Sequence, residues 1–428
     1  MLQYLTILCE DAGLLLGMKK ILLLVCCLSG LKGFTQTYTK QQFKEDFNYF
    51  WQTANDNYCY FEKKQIDWAK LKPAYDGQID TVTSRTGFVS TLERAIYELY
   101  DHHCSLRTNN KDSRRLVPTS TDMWAEYQNG KPVIVEVRKD FGAEKAGIKS
   151  GMEVISVNDV PVETAIKSFL PHTVNNESRS FALRLVLAGD HYTKRKITLK
   201  IGNITKDFYP DRDSLMLENV HYPEMVESKV IGDIGYIRIN NFLFDNSLIP
   251  KFDSVLNTLL KTKALIIDLR ETPSGGNTSV ARAILGRFIS KEQFYQKHEL
   301  YAEEKSTGIK RSWEEIVSPR GITYTNPVVV LADHWTGSIS EGITIAFDGM
   351  KRATVIGTQL ARLNGAVDSF EMPDTKIGFN ISTERLYHVN NSPRELYNPA
   401  ILVDVSEQKP GNDVIMNTAL DYLKKTLK

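Results

Sequence analysis

The sequence predicts a multidomain α+β protein with three segments of different character. Apolar residues recur at helical spacing in residues 36–115, short strands bounded by turn residues occupy residues 120–205, and strands alternate with helices in residues 206–428. A chain of 428 residues is long enough to bury sizeable cores in two or three domains. We therefore expect an N-terminal helical domain, a small β domain and a larger α/β core.

Residues 1–35 have the pattern of a leader that precedes the folded domains. Met18 is followed by two lysines and by an apolar run, residues 21–28, which matches the basic and apolar regions of a secretory signal. The run is too short for an ordinary transmembrane helix. We expect an exported protein, in the periplasm or outside the cell, with no transmembrane span. Met18 is an alternative start, and Cys26 leaves a lipid anchor open.

Charge and residue counts exclude several function classes. The 53 basic and 52 acidic residues nearly balance, so no surface for nucleic acid or an anionic membrane is predicted. The eight histidines and five cysteines form no HExxH or CxxC motif, and we expect no metal and no other cofactor. Without the leader Cys59 and Cys104 remain, and their spacing allows either a disulfide or two buried thiols.

The helical segment ends in a pair of histidines. Apolar residues at helical spacing mark two helix faces. They are Phe43, Phe47, Phe50, Trp51 and Ala54 on the first face, and Phe88, Leu92, Ala95, Ile96 and Leu99 on the second. Between them Asp67 is expected to cap a further helix. In Asp101-His102-His103 two imidazoles follow a helix, and they are either partners of the helix dipole or part of a site.

The middle segment, residues 120–205, is predicted to form a small β domain. A strand at residues 132–137 is followed by a short helix, a glycine turn and two further strands. This order resembles PDZ domains, and the resemblance implies a groove in which an extended peptide adds a strand. The alternative is a structural β domain that binds nothing. Residues 196–201 are expected to be its last strand, and residues 202–228 a polar linker.

In the third segment a buried strand leads into paired glycines. Residues 264–270 fit such a strand, and Gly275 and Gly276 follow it. Paired glycines let the backbone approach a ligand closely and point N–H groups at it. No Gly-Lys-Ser/Thr follows, so we do not expect a phosphate-binding loop.

A second buried strand ends just before a serine. Residues 328–332 fit the strand, and residues 338–347 carry an apolar face at helical spacing. The hydroxyl of Ser338 is therefore expected near unpaired N–H groups and the positive end of a helix dipole, where an oxyanion is stabilised. Ser338 with Glu341 three residues later is also a capping box, so a purely structural serine is the alternative.

Together these pieces resemble the tail-specific (C-terminal processing) and tricorn-like serine peptidases. The resemblance rests on the PDZ-like segment, on residues 268–270 before residues 275–276, and on the stretch 336–341. It covers nearly all of the chain after the leader. It implies an α/β core of the ClpP/crotonase-like ββα type in residues 206–428, and it leaves open whether this core packs with residues 36–115.

The resemblance assigns the catalytic groups residue by residue. Ser338 corresponds to the nucleophile, and the backbone N–H of Ile339 with one from Gly275 or Gly276 would form the oxyanion hole. One branch of the family activates the serine with a lysine. Leu363 occupies that position here and cannot accept a proton, so the resemblance favours the tricorn-like branch.

In that branch a histidine and a glutamate complete the site. His103 resembles this histidine, with His102 in place of the glycine before it, and Glu395 resembles the glutamate. An imidazole with an ordinary pKa of about 6.5 can take the serine proton, and a carboxylate can fix its tautomer. Both properties suit acyl transfer.

Four further residues are expected to support the site: Glu341, Ser340, Arg270 and Ser105. The simplest role for Arg270 is an ion pair with Asp268 or Glu271 that orders the glycine loop. The alternative is that it binds a substrate carboxylate.

The sequence thus predicts a secreted serine endopeptidase that cleaves peptides or unfolded proteins through a Ser-His-Glu arrangement and an acyl-enzyme. A second hypothesis is a catalytically impaired homologue that binds peptides through its PDZ-like domain. A third is that an unusual base, Lys351 or Lys376, activates the serine.

Overall fold

The computed structural model describes residues 38–212 and 220–428. The predicted leader, with Met18 and Cys26, lies outside these residues. Within the two described ranges no helix has both the length and the apolar character needed to cross a membrane. Cys59 and Cys104 are buried free thiols, which is the second of the two arrangements that the sequence allows.

The described residues form helices and strands throughout the chain. The helices are Lys40–Asn57 (α1), Phe61–Lys64 (α2), Trp68–Ile79 (α3), Arg85–Tyr97 (α4), Gly142–Lys145 (α5), Val162–Ala165 (α6), Asn176–Ala188 (α7), Leu248–Thr258 (α8), Thr278–Leu285 (α9), Tyr301–Thr307 (α10), Ile339–Gly349 (α11) and Val414–Thr426 (α12). The strands are Ser105–Leu106 (β1), Met123–Gln128 (β2), Lys131–Val137 (β3), Glu153–Val157 (β4), Val160–Pro161 (β5), Ile197–Ile201 (β6), Ile204–Phe208 (β7), Val226–Ile231 (β8), Ile234–Ile239 (β9), Ala264–Asp268 (β10), Gln293–Leu300 (β11), Ser312–Val317 (β12), Val328–Ala332 (β13), Thr354–Gly357 (β14), Ala366–Glu371 (β15), Gly378–Tyr387 (β16) and Ile401–Leu402 (β17).

The N-terminal helices pack on a sheet whose strands, apart from β1, come from the last third of the chain. This sheet has the order β1–β16–β11–β12, with β15 beside β16. Phe379 and Ile381 of β16 enter the same apolar core as Phe43 and Phe50 of α1. The predicted helices are confirmed, and Asp67 caps α3 by accepting a backbone N–H at 3.1 Å. Because the core is shared, the N-terminal helices and the C-terminal third bury their apolar faces together.

The middle segment forms an antiparallel sheet of the order β2–β3–β4–β6–β7, with β5 beside β4. The predicted strands at residues 132–137 and 196–201 are both present, but the second is not the last strand of the sheet, because β7 follows it. Residues 202–228 were predicted to be a polar linker. This prediction is wrong in part, because these residues contain β7 and the start of β8. β7 forms a hairpin with β6 and is exposed over most of its length, so it lacks the apolar alternation that would have revealed it.

Strand β2 lies at the edge of this sheet, but its free side is covered by α7. The N–H of Tyr127 donates to Oγ of Ser180 at 3.0 Å, and Nη1 of Arg184 donates to the carbonyl oxygen of Ala125 at 3.3 Å. An added peptide strand would need these same backbone groups. In this conformation the edge is therefore not open to a peptide.

The third sheet has the order β17–β14–β13–β10–β9–β8, and its neighbours are parallel except for β8 and β9. Helices α8, α9 and α11 share one apolar core with the sheet, and α12 contributes to a second. Both faces are therefore covered, which explains why β10 and β13 are uninterrupted runs of buried residues. The carboxyl ends of β10 and β13 lie side by side and hold the two loops that form the candidate site.

Candidate active site

Strand β13 and helix α11 place Ser338 at a tight turn. Ser338 directly precedes α11, and within residues 331–340 it is the residue that is not buried. Its φ of 57° lies in a region that side chains with a Cβ rarely adopt, at a cost of about 1–3 kcal/mol. Its N–H donates to Oε2 of Glu341 at 2.9 Å. The carboxylate of α11 thus holds the strained turn.

The glycine loop after β10 closes over Ser338. Gly275 has a φ of 69°, and a Cβ there would lie 2.4 Å from Cβ of Ser338. A Cβ on Gly276 would lie 2.1 Å from the carbonyl oxygen of Leu243. A side chain at Gly275 would therefore force the loop away from the serine, and one at Gly276 would force it away from Leu243.

Backbone N–H groups next to Ser338 are placed to bind a negatively charged oxygen. The N–H of Ile339 is the first of α11, and it meets no acceptor among the described residues. The same is true of Gly276, which is exposed. Gly275 differs, since its N–H donates to the carbonyl oxygen of Thr272 at 3.3 Å. Of the three predicted donors, Ile339 and Gly276 are free to bind a substrate oxygen.

His103 contacts Ser338 directly. Its Nε2 lies 3.0 Å from Oγ of Ser338, and its Nδ1 lies 2.9 Å from the carbonyl oxygen of Asn364. A carbonyl oxygen only accepts, so Nδ1 carries the proton and Nε2 is left to accept the serine hydroxyl. Burial lowers the pKa of His103 below its ordinary value. The neutral imidazole, which is the form that acts as a general base, is thereby favoured.

A buried carboxylate holds the backbone of this histidine. Oδ1 of Asp101 accepts the N–H of His103 at 2.9 Å. Its Oδ2 accepts from the hydroxyls of Tyr58 at 3.1 Å and Ser382 at 3.2 Å. The sequence did not indicate this role, although an aspartate two residues before a turn residue is typical of a side chain that accepts a nearby backbone N–H.

Glu395 makes no hydrogen bond to His103, in contrast to the predicted Ser-His-Glu arrangement. Its Oε1 pairs with Nζ of Lys63 at 2.5 Å, and its Oε2 is buried without a hydrogen-bond partner in the described part of the chain. The carbonyl of Asn364 occupies the Nδ1 side of His103 where the carboxylate was expected. The tautomer of the histidine is therefore fixed by a backbone oxygen in this structure.

The loop that supplies this oxygen, residues 363–365, is buried and is held by Arg394. Nη2 of Arg394 donates to the carbonyl oxygens of Leu363 at 3.1 Å and Gly365 at 2.7 Å. Sequence reasoning missed both Asn364 and Arg394, because a backbone carbonyl carries no residue-type signal. The only pointer was Leu363, whose place in the family pattern identifies this loop as part of the site.

Of the predicted supporting residues, Ser340 and Glu341 lie next to the serine turn, and Ser105 does not. The hydroxyl of Thr272 donates to Oγ of Ser340 at 2.6 Å, which ties the glycine loop to α11. Burial raises the pKa of Glu341 to about 7, and the nearby charge of Arg394 opposes this rise. Ser105 lies on β1 opposite Asn380 of β16 and makes no hydrogen bond to the serine or the histidine among the described residues.

Arg270 forms ion pairs instead of facing the serine. Its Nη2 lies 2.6 Å from Oδ2 of Asp268, and its Nη1 lies 2.8 Å from Oδ1 of Asp413. This agrees with the simpler of the two expected roles. Glu271, the other expected partner, pairs with Arg138 at 2.8 Å.

The two adjacent histidines lie in different environments. Nε2 of His102 accepts from Nε of Arg184 at 3.0 Å, and its ring stacks on Phe181 with the centroids 4.4 Å apart. Burial, followed by the charge of Arg184, lowers the pKa of His102 well below its ordinary value. His102 therefore packs between the middle segment and the helices, and His103 alone of the pair contacts the serine.

The other proposed bases do not reach Ser338. Lys351 follows the C-terminal end of α11, so a helical rise of about 1.5 Å per residue puts it roughly 20 Å from the serine. Lys376 lies in the turn before β16 and makes no hydrogen bond to Ser338 in the described residues. Among the described His, Cys, Asp and Glu residues, no group of three or more is arranged to hold a metal ion.

Two family models match the chain. The model of peptidase family S41 matches residues 233–403, and that of the Tricorn protease C1 domain matches residues 39–96. Carboxy-terminal processing protease CtpB of Bacillus subtilis (strain 168) is 26% identical over 305 residues, which is 69% of this chain and 58% of that protein. CtpA of the same organism is 30% identical over 237 residues, or 54% and 44%. The chain thus spans about half the length of these relatives.

The fold is also similar to that of a solved structure. Mature CPAF complexed with lactacystin superimposes with a TM-score of 0.60, over 91% of this chain and 98% of that chain. The sequences are 16% identical, so the likeness concerns the fold.

Proposed function

We propose that this chain, which carries a peptidase family S41 domain and a Tricorn protease C1 domain, is an exported serine endopeptidase. The observation that carries the proposal is the 3.0 Å contact between Nε2 of His103 and Oγ of Ser338. A neutral histidine within hydrogen-bond reach of a strained, partly exposed serine is the arrangement that nucleophilic catalysis requires. Relatives named as carboxy-terminal processing proteases support the same function.

The proposed reaction is acyl transfer. Oγ of Ser338 attacks the peptide carbonyl carbon while Nε2 of His103 takes the hydroxyl proton. The N–H groups of Ile339 and Gly276 stabilise the negative charge on the carbonyl oxygen. His103 then gives its proton to the leaving amine, and the C–N bond breaks. Water attacks the acyl-enzyme in the same way, with His103 again as the base, and the serine is regenerated.

We propose that Glu395, the third member of the predicted arrangement, does not orient His103 directly. The carbonyl of Asn364 accepts the Nδ1 proton of His103 and stabilises the imidazolium that forms during attack. Glu395 follows Arg394, the residue that holds this loop, and pairs with Lys63. Glu395 thus adjoins the residue that holds the loop and makes no direct bond with the histidine.

The substrates are proposed to be extended peptides or unfolded proteins, bound near a chain end. The PDZ-like middle domain, residues 120–205, would present the substrate or gate the site. Two buried contacts link it to the catalytic loops: Arg138 pairs with Glu271, and Nε1 of Trp335 donates to the carbonyl oxygen of Thr121 at 2.9 Å. Since α7 covers the edge of β2, the catalytic function is better supported than the peptide-binding alternative.

An active-site label tests the proposal. We expect a fluorophosphonate to modify the wild-type protein at Ser338, and we expect Ser338→Ala to remain unlabelled. Ser306→Ala is the control and is expected to be labelled, because its hydroxyl is exposed on α10 and donates to the carbonyl oxygen of Glu303. Labelling of Ser338→Ala would contradict the assignment. A wild-type protein that binds peptides but is neither labelled nor active would favour the peptide-binding alternative.

A further inference from the structure

We infer that Arg394 is a positioning residue that holds both the histidine side and the serine side of the proposed catalytic pair. The inference rests on the proposed function and adds to it a group that touches neither the serine nor the histidine. Arg394 begins a single 3₁₀ turn, Arg394–Leu396, and only 2% of its surface is exposed. A buried cation is costly unless its donors are used, so its partners indicate what it does.

On the histidine side, Arg394 fixes the carbonyl that orients the ring. Its Nη2 donates to the carbonyl oxygens of Leu363 and Gly365, the residues before and after Asn364. The carbonyl of Asn364 accepts the Nδ1 proton of His103 at 2.9 Å. Since the loop is held on both sides of Asn364, its carbonyl cannot turn away from the ring without breaking a charge-assisted hydrogen bond.

On the serine side, the same nitrogen faces the carboxylate that supports the strained turn. Nη2 lies 3.7 Å from Oε2 of Glu341, and both side chains are 1% exposed. That oxygen accepts the N–H of Ser338 at 2.9 Å. The positive charge of Arg394 opposes the effect of burial on Glu341 and so favours the carboxylate form, which is the better acceptor.

The charge of Arg394 also affects the base. The groups that face His103 are Arg394, which lowers its pKa, Asp101, which raises it, and the neutral partners Asn364 and Ser338. Loss of the cation would therefore raise the pKa of His103. The imidazole would remain protonated to a higher pH, and the acid limb of the kcat/KM profile would move upward.

Two substitutions separate charge from position. Arg394→Met removes both, and we expect kcat to fall about a hundredfold with the acid limb shifted to higher pH. Arg394→Lys keeps the charge, but its nitrogen reaches about one bond length less. We expect this variant to lose about tenfold in kcat and to keep the acid limb of the wild type. KM is expected to stay within about threefold in both variants, because neither changes a group that binds substrate.

Arg352 provides a matched control. It too is an arginine that holds backbone carbonyls: Nε donates to Phe288 at 2.9 Å, and Nη2 donates to Tyr324 at 2.6 Å and Asn326 at 2.7 Å. It lies beyond the far end of α11 from the serine. Arg352→Met should therefore lower stability without changing kcat or the pH profile.

The experiment measures kcat, KM and the pH profile for peptide hydrolysis, together with the His103 titration by NMR and the unfolding midpoint. If Arg394→Met changes only stability, as Arg352→Met does, the inference is wrong. If Arg394→Met does not fold, Arg394→Lys decides: unchanged kcat would overturn the inference. A wild-type protein that is not labelled at Ser338 would instead overturn the proposed function. In a labelled, folded Arg394→Met protein, an unchanged kcat together with an unshifted His103 titration would overturn the inference alone.

Discussion

The serine side and the histidine side of the candidate site are built in different ways. Ser338, Ile339 and Glu341 lie within one helical turn, so a local sequence of strand, turn and helix start forms the serine side. The histidine side joins His103 to Asn364, which is 261 positions away. A local pattern is thus enough to place Ser338 at the start of a helix, although it leaves the capping serine open as an alternative. The surroundings of His103 arise only in the folded chain.

The largest expected effect on kcat is on the histidine side, where it distinguishes His103 from the adjacent His102. His103→Gln removes the proposed base, and we expect kcat to fall by about 10⁴-fold. His102→Gln keeps a polar partner for Arg184 but loses the ring that stacks on Phe181. We therefore expect a loss of about 1–3 kcal/mol in unfolding free energy and a change in kcat of less than about tenfold. Steady-state kinetics and urea unfolding of both variants measure these effects. Equal kinetic losses would mean that His103 is not the base.

Much of the fold was accessible from the sequence because the relevant strands are buried on both faces. Strand β13 has the predicted bounds, and β10 ends two residues early. Such strands are continuous apolar runs that need no partner to be recognised. Strand β7 was missed for the opposite reason, since it is mostly exposed and its position depends on pairing with β6. The resemblance to tail-specific and tricorn-like peptidases is confirmed by the two family models.

The site was predictable in part. The resemblance implied that Ser338, His103 and the glycine loop meet, and they do, because the serine and the loop follow neighbouring parallel strands. Glu395 has the residue type that the family pattern requires, but its carboxylate pairs with Lys63. Which partner a buried charge finds depends on distances between remote segments, and neither spacing nor propensity contains those distances. For the same reason the sequence did not indicate that Arg394 contacts the loop at residues 363–365.

A smaller effect is expected where the serine side depends on backbone space. Gly275→Ala places a Cβ against Ser338, and we expect kcat/KM to fall by about 10²–10³-fold because the loop with the Gly276 donor is displaced. Gly130→Ala is the matched control, since Gly130 has a φ of 77° and nothing within 4 Å of a Cβ. Gly130→Ala should lose about 1 kcal/mol of stability through backbone strain, and Gly275→Ala should lose more because its Cβ also collides with Ser338.

The contrast between these two glycines is measured by kinetics and by unfolding midpoints. If Gly275→Ala retained full activity, the loop would not be part of the oxyanion hole. If Gly130→Ala lost activity to the same extent, the effect would belong to positive φ in general and not to the position over Ser338.

The smallest expected effect concerns the carboxylate that the sequence placed on the histidine side. Removing the charge of an orienting carboxylate that bonds directly to the histidine lowers kcat by about 10⁴-fold. Because Glu395 pairs with Lys63 and Asn364 holds Nδ1, we expect Glu395→Gln to lower kcat by less than about tenfold. Lys63→Gln, which breaks the same pair from its exposed end, should have a similarly small effect. A 10⁴-fold loss of kcat in Glu395→Gln with unchanged stability would contradict this expectation. It would mean that Nδ1 of His103 exchanges the carbonyl oxygen of Asn364 for the carboxylate of Glu395 during turnover. The histidine side would then match the family pattern in its contacts as well as in its residue types.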